Sequence, residues 1–272
     1  MSSYKRSQLN IFPIKSLRGI PLNTARLSSG GFEYDRQWML IDSQGRFITQ
    51  RQQALLSLVD VSLTPDSLLV NAPGKTALSI PFNEGESKPV EVIVWRDHCS
   101  GIVASGPINQ WFSEYSGVDC RLVRFDTTRP RRVDPVYKLG HSDQVLFADG
   151  FPFLLIGTAS LEDLNQRMAK KNEPALPMMR FRPNIVVETD VPFIEDQWTG
   201  IRIGEVEMRI VKPCSRCVIP TIDFNTGKKS KEPLTTLGEY RKRNGKIYFG
   251  QNVIHRYRPE QSISTGDTLV VQ

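Results

Sequence analysis

The amino-acid sequence predicts a β-rich α+β fold, and three observations support this prediction. Short runs of Val, Ile, Leu and aromatic residues recur along the chain, and turn residues separate most of them. Apolar residues at helical spacing occur in only three segments. The chain has 272 residues, of which 39% are hydrophobic and 24% charged, so it can bury a substantial core. We expect two β-units that share an interface, divided into residues 1–120 and residues 121–272.

The strands predicted in the first half are short and closely spaced, which is typical of a barrel or a sandwich. They are Ser7–Ile14, Gln37–Asp42, Phe47–Arg51, Leu58–Leu63, Ser67–Asn71, Ala77–Phe82 and Val90–Trp95. The segment Ser43-Gln44-Gly45 lies between two of these runs. It predicts a hairpin with Gly at the bend.

Three helices and a second group of strands complete the prediction. Gly106-Pro107 begins the first helix and Gly117 ends it. Ser160 and Asp163 resemble a capping box and predict the start of a second helix, and a third, shorter helix is expected at Leu234–Arg243. The strands expected in the second half are Ile185–Glu188, Ile201–Ile203, Glu205–Val211 and Thr268–Gln272.

The charge of the chain permits an anionic partner. The formal net charge is +6, and most basic residues are interspersed with acidic ones. The exception is Arg129-Pro130-Arg131-Arg132, which we interpret as a compact anion site. This run is too short for a nucleic-acid-binding stripe, so we expect no nucleic-acid partner.

The sequence also predicts where the protein works. No apolar run approaches the roughly 20 residues needed to span a bilayer. The first residues, Met1–Arg6, are polar and lead into no apolar signal segment. We therefore expect a cytoplasmic protein without membrane contact.

The strongest local signal is the segment Lys212-Pro213-Cys214-Ser215-Arg216-Cys217. It follows the predicted strand Glu205–Val211, and we expect Pro213 to end that strand and place both thiols in a loop. Arg216 lies between the two cysteines and favours a thiolate by lowering its pKa.

Four interpretations of this cysteine pair remain open from the residues alone. A zinc site needs two more ligands, whereas Cys99 and Cys120 are isolated and His98, His141 and His255 are scattered. A redox dithiol normally belongs to an α/β pattern that is absent here. Two small buried thiols would be the common structural outcome. A single thiolate that binds a transition metal, with the other ligands supplied by a cofactor, is equally permitted.

Three other segments combine residues suited to an anionic, heterocyclic ligand. Lys15 and Ser16 follow the first predicted strand, where an ammonium and a hydroxyl can bind a phosphate. Arg36 is adjacent to Asp35 and is expected to pair with it. Arg182 and Asn184 flank a proline and present a donor fork beside a mixed donor and acceptor.

Taken together, these segments resemble one family. In chain order they are Ile11-Phe12-Pro13-Ile14-Lys15-Ser16, Tyr34-Asp35-Arg36, Phe147-Ala148-Asp149-Gly150, Phe181-Arg182-Pro183-Asn184, the cysteine segment, Glu232-Pro233-Leu234, Phe249-Gly250-Gln251-Asn252 and Gly266-Asp267. Their order and spacing resemble MOSC-domain proteins of the YcbX type and are similar to the mitochondrial amidoxime-reducing components. The resemblance extends from about residue 8 to the C-terminus.

The resemblance implies a fold and a cofactor. The fold is a MOSC N-terminal β-barrel domain, residues 1–120, followed by a MOSC β-barrel domain, residues 121–272. The cofactor is molybdenum–molybdopterin, bound between the two domains, with the thiolate of Cys217 as the catalytic metal ligand. The other cofactor-binding residues that the resemblance implies are Lys15, Ser16, Arg36, Arg182, Asn184, Ser215 and Arg216.

The activity implied by the resemblance is the reduction of N-hydroxylated compounds, such as hydroxylamines, amidoximes and N-hydroxylated bases, to amines. YcbX-type proteins often carry a C-terminal ferredoxin-like domain with a 2Fe–2S cluster, and this chain lacks the plant-type cysteine run of such a domain. We therefore expect electrons from an external partner, either a flavin reductase or a ferredoxin-like protein. The alternatives are a non-catalytic carrier of the cofactor or of sulfur, and a basic barrel that binds nucleic acid.

Overall fold

The computed structural model describes residues 3–85, 88–137 and 144–272, and it confirms the β-rich α+β class. The strands are β1 (Ser3–Ile11), β2 (Ile20–Leu22), β3 (Thr24–Ser28), β4 (Gly31–Phe32), β5 (Trp38–Ile41), β6 (Asp60–Leu63), β7 (Ser67–Asn71), β8 (Leu78–Pro81), β9 (Val90–Val94), β10 (Asp97–Val103), β11 (Arg121–Phe125), β12 (Phe153–Gly157), β13 (Ile185–Val187), β14 (Gly200–Ile203), β15 (Val206–Ser215), β16 (Lys242–Arg243), β17 (Lys246–His255), β18 (Ser262–Ser264) and β19 (Thr268–Val271). The α-helices are α1 (Gly106–Ser116), α2 (Thr158–Ala169) and α3 (Leu234–Tyr240), and the short 3-10 helices are Ala54–Leu58, Met178–Phe181, Ile194–Gln197 and Ile219–Thr221.

The largest sheet closes on itself. Its strand order is β12-β13-β1-β19-β14-β15-β17-β16, and β12 also pairs with β17. The contact between β12 and β13 is parallel, and the other pairings along this path are antiparallel. Side chains such as Leu9, Phe153 and Val253 belong to the buried apolar cluster of this sheet.

Smaller sheets form most of the first half. The order β5-β11-β10-β9 makes one sheet, and β6, β7 and β8 make another. Trp38 and Phe112, the latter a residue of α1, belong to the buried apolar cluster of this half. β1 lies in the large sheet of the second half, whereas β11 pairs within the first half. The division at residue 120 stays a prediction.

The helices agree with the sequence except at the start of α2. α1 has Pro in its first turn and ends at Gly117, which adopts a φ of 71°, as predicted. α2 begins at Thr158 with Gly157 as its N-cap, so the capping box of Ser160 and Asp163 was wrong. The Ser160 hydroxyl instead donates to Glu195 Oε1 at 2.7 Å, because this buried carboxylate lies beside the first turn. The third predicted helix ends at Tyr240, and its last residues form β16.

One predicted strand is a loop. Phe47–Arg51 makes only an isolated bridge at Phe47, because Thr49 and Gln52 form a turn. Gln52 Oε1 accepts hydrogen bonds from the backbone N–H and the hydroxyl of Thr49 at 2.9 and 2.7 Å. The hairpin predicted just before it is present, with Gly45 at a φ of 75°. Among the residues that the structure describes, no helix is long and apolar enough to cross a membrane.

Candidate functional site

The residues predicted to contact a cofactor line one pocket between the two halves of the chain. The pocket contains about 810 Å³ of open space and is lined by all eight of them: Lys15, Ser16, Arg36, Arg182, Asn184, Ser215, Arg216 and Cys217. The other lining residues are Thr49, Arg51, Ala148, Asp149, Gly150, Phe151, Phe153, Leu154, Phe181, Cys214, Ile219 and Asn252. A pocket between two parts of a chain is a common place for a small-molecule or cofactor site.

The end of β15 delivers the two cysteines to the pocket. The prediction that Pro213 ends the strand was wrong, because β15 continues through Pro213 to Ser215. The pairing with β17 is irregular on both sides of Pro213, and such bulges accommodate a residue without an N–H. Cys214 therefore lies in the strand, and Cys217 lies in the loop that follows.

The two cysteines have different surroundings. Cys214 is half-buried against the apolar cluster that contains Phe181, and its Sγ accepts a hydrogen bond from Arg216 Nη1 at 3.3 Å. Cys217 is exposed at the pocket, and both cysteines are free thiols. The interpretation of two buried thiols therefore does not fit Cys217. Arg216 Nη2 also donates to the carbonyl oxygen of Phe181 at 2.8 Å, which fixes this arginine beside the pocket.

Arg36 is held by three partners: Asp35, which was predicted, Asn184, and the carbonyl oxygen of Arg182, which accepts from Nη2 at 3.3 Å. Its Nη1 donates to Asp35 Oδ2 at 2.5 Å and to Asn184 Oδ1 at 2.8 Å. Burial raises the pKa of Asp35, although the neighbouring Arg36 acts in the opposite direction. The amide of Asn184 also accepts from the Leu154 N–H at 3.2 Å and donates to the Asn10 carbonyl at 3.1 Å. These bonds join the loop after β4 to the strands of the second half.

Arg182 and Arg36 both stack on the ring of Phe12. The guanidinium carbon of Arg182 lies 4.2 Å from the centroid of Phe12, and that of Arg36 lies 4.5 Å from the same centroid. Arg182 has a φ of 57° and donates from Nη1 to the Leu17 carbonyl at 2.5 Å. A non-glycine residue in this left-handed region is typical of functional sites, where the surrounding contacts impose the conformation.

Lys15 and Ser16 occupy the loop after β1. Ser16 has a φ of 71°, and its carbonyl accepts a hydrogen bond from Gln50 Nε2 at 2.6 Å. The buried Lys15 ammonium donates to the Phe147 carbonyl at 2.7 Å and to Asp149 Oδ1 at 2.5 Å. Desolvation lowers the pKa of Lys15, and the pair with Asp149 only partly opposes this effect.

The pocket has an excess of positive charge. Five cationic side chains, those of Lys15, Arg36, Arg51, Arg182 and Arg216, line it beside one carboxylate. Burial, reinforced by Arg36, lowers the pKa of Arg182 to about 9. Grouping buried like charges is unfavourable unless an anion neutralises them.

Two of these arginines also have unused hydrogen-bond donors. The Nε atoms of Arg51 and Arg216 are buried and have no partner among the residues that the structure describes. Unpaired buried donors are rare, and an anionic ligand with several oxygens would satisfy them. The donor set therefore fits a phosphate-bearing cofactor, and the exposed thiol of Cys217 fits a metal that accepts one protein sulfur.

Arg51, Asp149 and Thr49 contribute to the pocket but were missed as site residues. Arg51 Nη2 lies 3.7 Å from Asp149 Oδ2, and its guanidinium stacks over Trp95 at 4.7 Å. Trp95 Nε1 donates to Asp149 Oδ1 at 3.1 Å. Asp149 belongs to a segment that supported the family resemblance, and the resemblance could therefore have identified it as a site residue. No sequence pattern marked Arg51, because its loop was predicted as a strand.

Arg131 of the arginine-rich segment has a structural role. The guanidinium of the buried Arg131 donates to the carbonyl oxygens of Leu146 and Ala148 at 2.9 and 2.6 Å. It also pairs with Asp97 at 2.5 Å. The interpretation of a compact anion site was therefore wrong at Arg131. The residue fixes the loop that carries Asp149 into the pocket.

Among the described residues, no zinc site accompanies the thiols. Within residues 3–85, 88–137 and 144–272, no group of three or more His, Cys, Asp and Glu side chains can hold a metal ion. His141, one of the histidines considered above, lies outside the described residues. The exposed thiol of Cys217 instead suits a metal whose other ligands come with a cofactor.

Comparison with known families gives two matches. A profile described as "MOSC N-terminal beta barrel domain" matches residues 4–119, and one described as "MOSC domain" matches residues 142–270. Together the two matches span nearly the whole chain, in the order expected from the sequence.

Curated relatives resemble the chain over most of its length. It is 35% identical over 246 residues to "Mitochondrial amidoxime-reducing component 1" of Mus musculus. The aligned region covers 86% of this chain and 71% of that protein. It is 35% identical over 244 residues to "Mitochondrial amidoxime reducing component 2" of Bos taurus, with the same two shares. It is also 33% identical over 262 residues to "Molybdenum cofactor sulfurase" of Oryza sativa subsp. japonica. That alignment covers 88% of this chain and 31% of the rice protein. The chain therefore belongs to the family in which a MOSC N-terminal β-barrel domain precedes a MOSC domain, the family of the mitochondrial amidoxime-reducing components.

Proposed function

We propose that the chain is a molybdenum-cofactor-dependent reductase that converts N-hydroxylated compounds to amines. The names of the mammalian relatives support a reductase of amidoximes, and the rice relative supports a link to the molybdenum cofactor. The observation on which the proposal depends is the convergence of Cys217 with five cationic side chains on one pocket. An anionic pterin cofactor with a thiolate-accepting metal needs both features.

Different residues of the pocket would bind different parts of such a cofactor. The thiolate of Cys217 would be the protein ligand of the metal. Lys15, Arg182 and Arg216 would bind the anionic end, since a phosphate accepts several charge-assisted hydrogen bonds. Arg36 would add positive charge from the position that Asp35 fixes. When bound, the cofactor supplies the two-electron chemistry that cleaves an N–O bond.

The surroundings of the thiol favour access by a small substrate. Cys217 is exposed in a loop, whereas Cys214 is half-buried and bonded to Arg216. A small substrate would therefore have access to a metal bound by the Cys217 thiolate, as a catalytic site requires. The overall reaction uses two electrons and two protons, and it releases the amine and water.

The electrons would come from an external protein, either a flavin reductase or a ferredoxin-like protein. The chain has no plant-type ferredoxin cysteine run. Within the described residues, no group of three His, Cys, Asp or Glu side chains is arranged to bind a metal by itself. The cytoplasmic location expected from the sequence stays a prediction.

The direct test is elemental analysis joined to an activity assay. The purified chain, produced in cells that make the cofactor, is expected to contain molybdenum in a ratio to protein near one. It should reduce benzamidoxime to benzamidine with a chemically reduced dye as electron source. A preparation that holds molybdenum but never forms the amidine would contradict the reductase proposal.

A second candidate function is a non-catalytic carrier of the cofactor or of sulfur. The similarity to the rice molybdenum cofactor sulfurase favours it, although the chain corresponds to only 31% of that protein. A carrier releases its cofactor readily and shows no turnover. Dialysis against an acceptor protein distinguishes the two functions, because a reductase is expected to retain its molybdenum.

A further inference from the structure

A second pocket lies beside the candidate cofactor site. It contains about 760 Å³ of open space, and it shares Arg182 and Ile219 with the first pocket as lining residues. Its walls come from the loop before β2, from the 3-10 helix Met178–Phe181 and from the segment that follows Cys217. None of the contacts proposed for the cofactor explains this space.

The walls of the second pocket are largely apolar. They include the side chains of Phe12, Pro21, Met179, Ile219, Ile222 and Phe224. Apolar walls bind a ligand by removing its apolar surface from water, and they do so without regard to charge. The ligand suited to these walls is therefore a hydrophobic ring or chain.

Arg18 lines this pocket, but its donors are engaged by the protein. Its Nε donates to the Ser57 carbonyl at 3.0 Å, and its Nη1 donates to Asp60 Oδ1 at 2.7 Å. Its Nη2 donates to the carbonyl of Phe224. Arg18 therefore shapes the wall, and binding an anionic ligand would require breaking these bonds.

Arg180, the second arginine of this wall, is also engaged. It is buried, its Nε donates to the Pro220 carbonyl at 3.0 Å, and its Nη1 pairs with Asp223 at 3.1 Å. Neither arginine leaves an unpaired donor among the buried atoms of the described residues. This distinguishes the second pocket from the first, where Arg51 and Arg216 each have an unpaired Nε.

Two lining residues are common to both pockets. Ile219 is two positions after Cys217 and faces both spaces, at the start of the 3-10 helix Ile219–Thr221. Arg182 lines both pockets and stacks on Phe12, which also belongs to the second. Ile219 and Arg182 therefore form the boundary that the second pocket shares with the pocket of Cys217.

We propose that this second pocket is the subsite for the apolar body of the substrate. It would bind the uncharged ring or alkyl group of an N-hydroxylated compound and direct the N–O group to the metal position at Cys217. This inference rests on the proposed function for the reaction, and it adds the part of the protein that selects among substrates. Substrates with a neutral aromatic body are expected to be preferred over hydroxylamine itself.

Met179 offers a substitution that narrows the pocket from its wall. Met179→Trp places a larger side chain in the space and is expected to lower kcat/KM for benzamidoxime relative to that for hydroxylamine by about tenfold, because the ring loses its apolar contacts. Val191→Trp is the matched control, since Val191 is exposed and lines neither pocket. An equal ratio in wild type, Met179→Trp and Val191→Trp would overturn the proposal.

The converse variant enlarges the same space. Met179→Ala is expected to raise the rate with a naphthyl amidoxime relative to benzamidoxime, because the pocket then accepts the second ring. Molybdenum content is measured for every variant, so that a loss of cofactor is not read as a loss of substrate binding. Unchanged selectivity in Met179→Ala, with full molybdenum content, would count against the subsite.

A binding measurement keeps the inference separate from the reaction. A neutral trifluoromethyl benzamide, followed by fluorine NMR, is expected to bind the wild type and Val191→Trp and to bind Met179→Trp about tenfold more weakly. If no N-hydroxylated compound is reduced but this pattern appears, the reductase proposal fails and the subsite is supported. If reduction occurs but the benzamide binds all three proteins equally, the subsite is rejected and the reductase stands.

Discussion

Arg36 Nη1 donates a hydrogen bond to Asn184 Oδ1 at 2.8 Å, and the two residues are 148 positions apart in the chain. Asn184 is 1% exposed and also bonds Leu154 and Asn10. The amide predicted to recognise a heterocycle is thus occupied within the protein. Its role in this structure is to hold Arg36 at the pocket and to join the two halves of the chain.

Asn184→Ala is expected to destabilise the fold and to weaken cofactor binding together. The change leaves buried donors and acceptors unpaired, which costs roughly 1–3 kcal/mol of unfolding free energy. It also removes one of the three hydrogen-bond partners that hold Arg36 at the pocket. Urea unfolding and molybdenum content measure the two effects. Asn165→Ala is the control, because Asn165 makes two similar bonds to the backbone of Leu176 outside the pocket. Equal molybdenum content in both variants would argue against this role.

Arg182→Ala is expected to lose cofactor while the protein stays folded. Charge-assisted contacts to a phosphate contribute roughly 1.5–3 kcal/mol each, so the affinity should fall by about one to two orders of magnitude. Gel filtration followed by molybdenum analysis measures the loss. Arg167→Ala, which removes a surface pair with Asp163, is the control. Full molybdenum content in Arg182→Ala would leave this arginine a structural role only.

Gly19→Ala tests the ring of Phe12, on which Arg36 and Arg182 both stack. A Cβ at Gly19 would overlap the ring of Phe12 and approach Met179 Cε to 2.7 Å. Displacing Phe12 should disturb Arg36 and Arg182, which both stack on it, and overpacking of this kind costs roughly 1–3 kcal/mol. We expect a lower urea midpoint and a lower molybdenum content. Gly106→Ala is the control, because a Cβ there meets no atom within 4 Å.

Much of the fold followed from local patterns, and the errors have local physical causes. α1 was predicted because its proline, its apolar face and its terminal glycine agree. Phe47–Arg51 has a strand-like composition, but the side chain of Gln52 closes a turn there. Pro213 was expected to end a strand that in fact bulges around it. Bulges and side-chain turns depend on partners that sequence periodicity does not contain.

The site was predictable as a set of residues and only partly as an arrangement. The family resemblance selected eight residues from four segments, and the fold brings them to one pocket. The residues alone did not separate Cys214 from Cys217, because the difference in their exposure comes from the end of β15. Arg51 enters the pocket through tertiary packing on Trp95, which no motif indicates.

Asp149 gives the pocket a testable dependence on pH. Desolvation opposes its ionisation, but Lys15 and Arg51 outweigh this and hold the pKa of Asp149 below its ordinary value. A lowered carboxyl pKa contributes stability that is present above about pH 4 and is lost as the pH falls through the folded-state value. Asp149→Asn should therefore have a lower urea midpoint than wild type near neutral pH. The difference between the two urea midpoints should disappear at acidic pH. A difference that grows below about pH 4 would contradict the prediction.

The last prediction separates the two thiols of the cysteine segment. A paired role, as in a zinc site or a dithiol, makes Cys214 and Cys217 equal, whereas a single-ligand role does not. Cys217 is exposed at the pocket and Cys214 is half-buried against Phe181 with Arg216 bonded to its sulfur. We therefore expect Cys217→Ala to be inactive toward hydroxylamine with an artificial reductant, since the metal would lose its protein thiolate.

Cys214→Ala is the matched comparison, because it removes the same atom three positions away. Loss of a residue that only supports a ligand lowers metal affinity or activity by about 10–100-fold at most, so this variant should keep molybdenum and measurable turnover. Pterin fluorescence after denaturation, measured beside molybdenum, shows whether Cys217→Ala still holds the organic part of the cofactor through its basic residues. Equal losses in the two variants would restore a paired role for the thiols. Full activity in Cys217→Ala would remove this thiolate from the mechanism altogether.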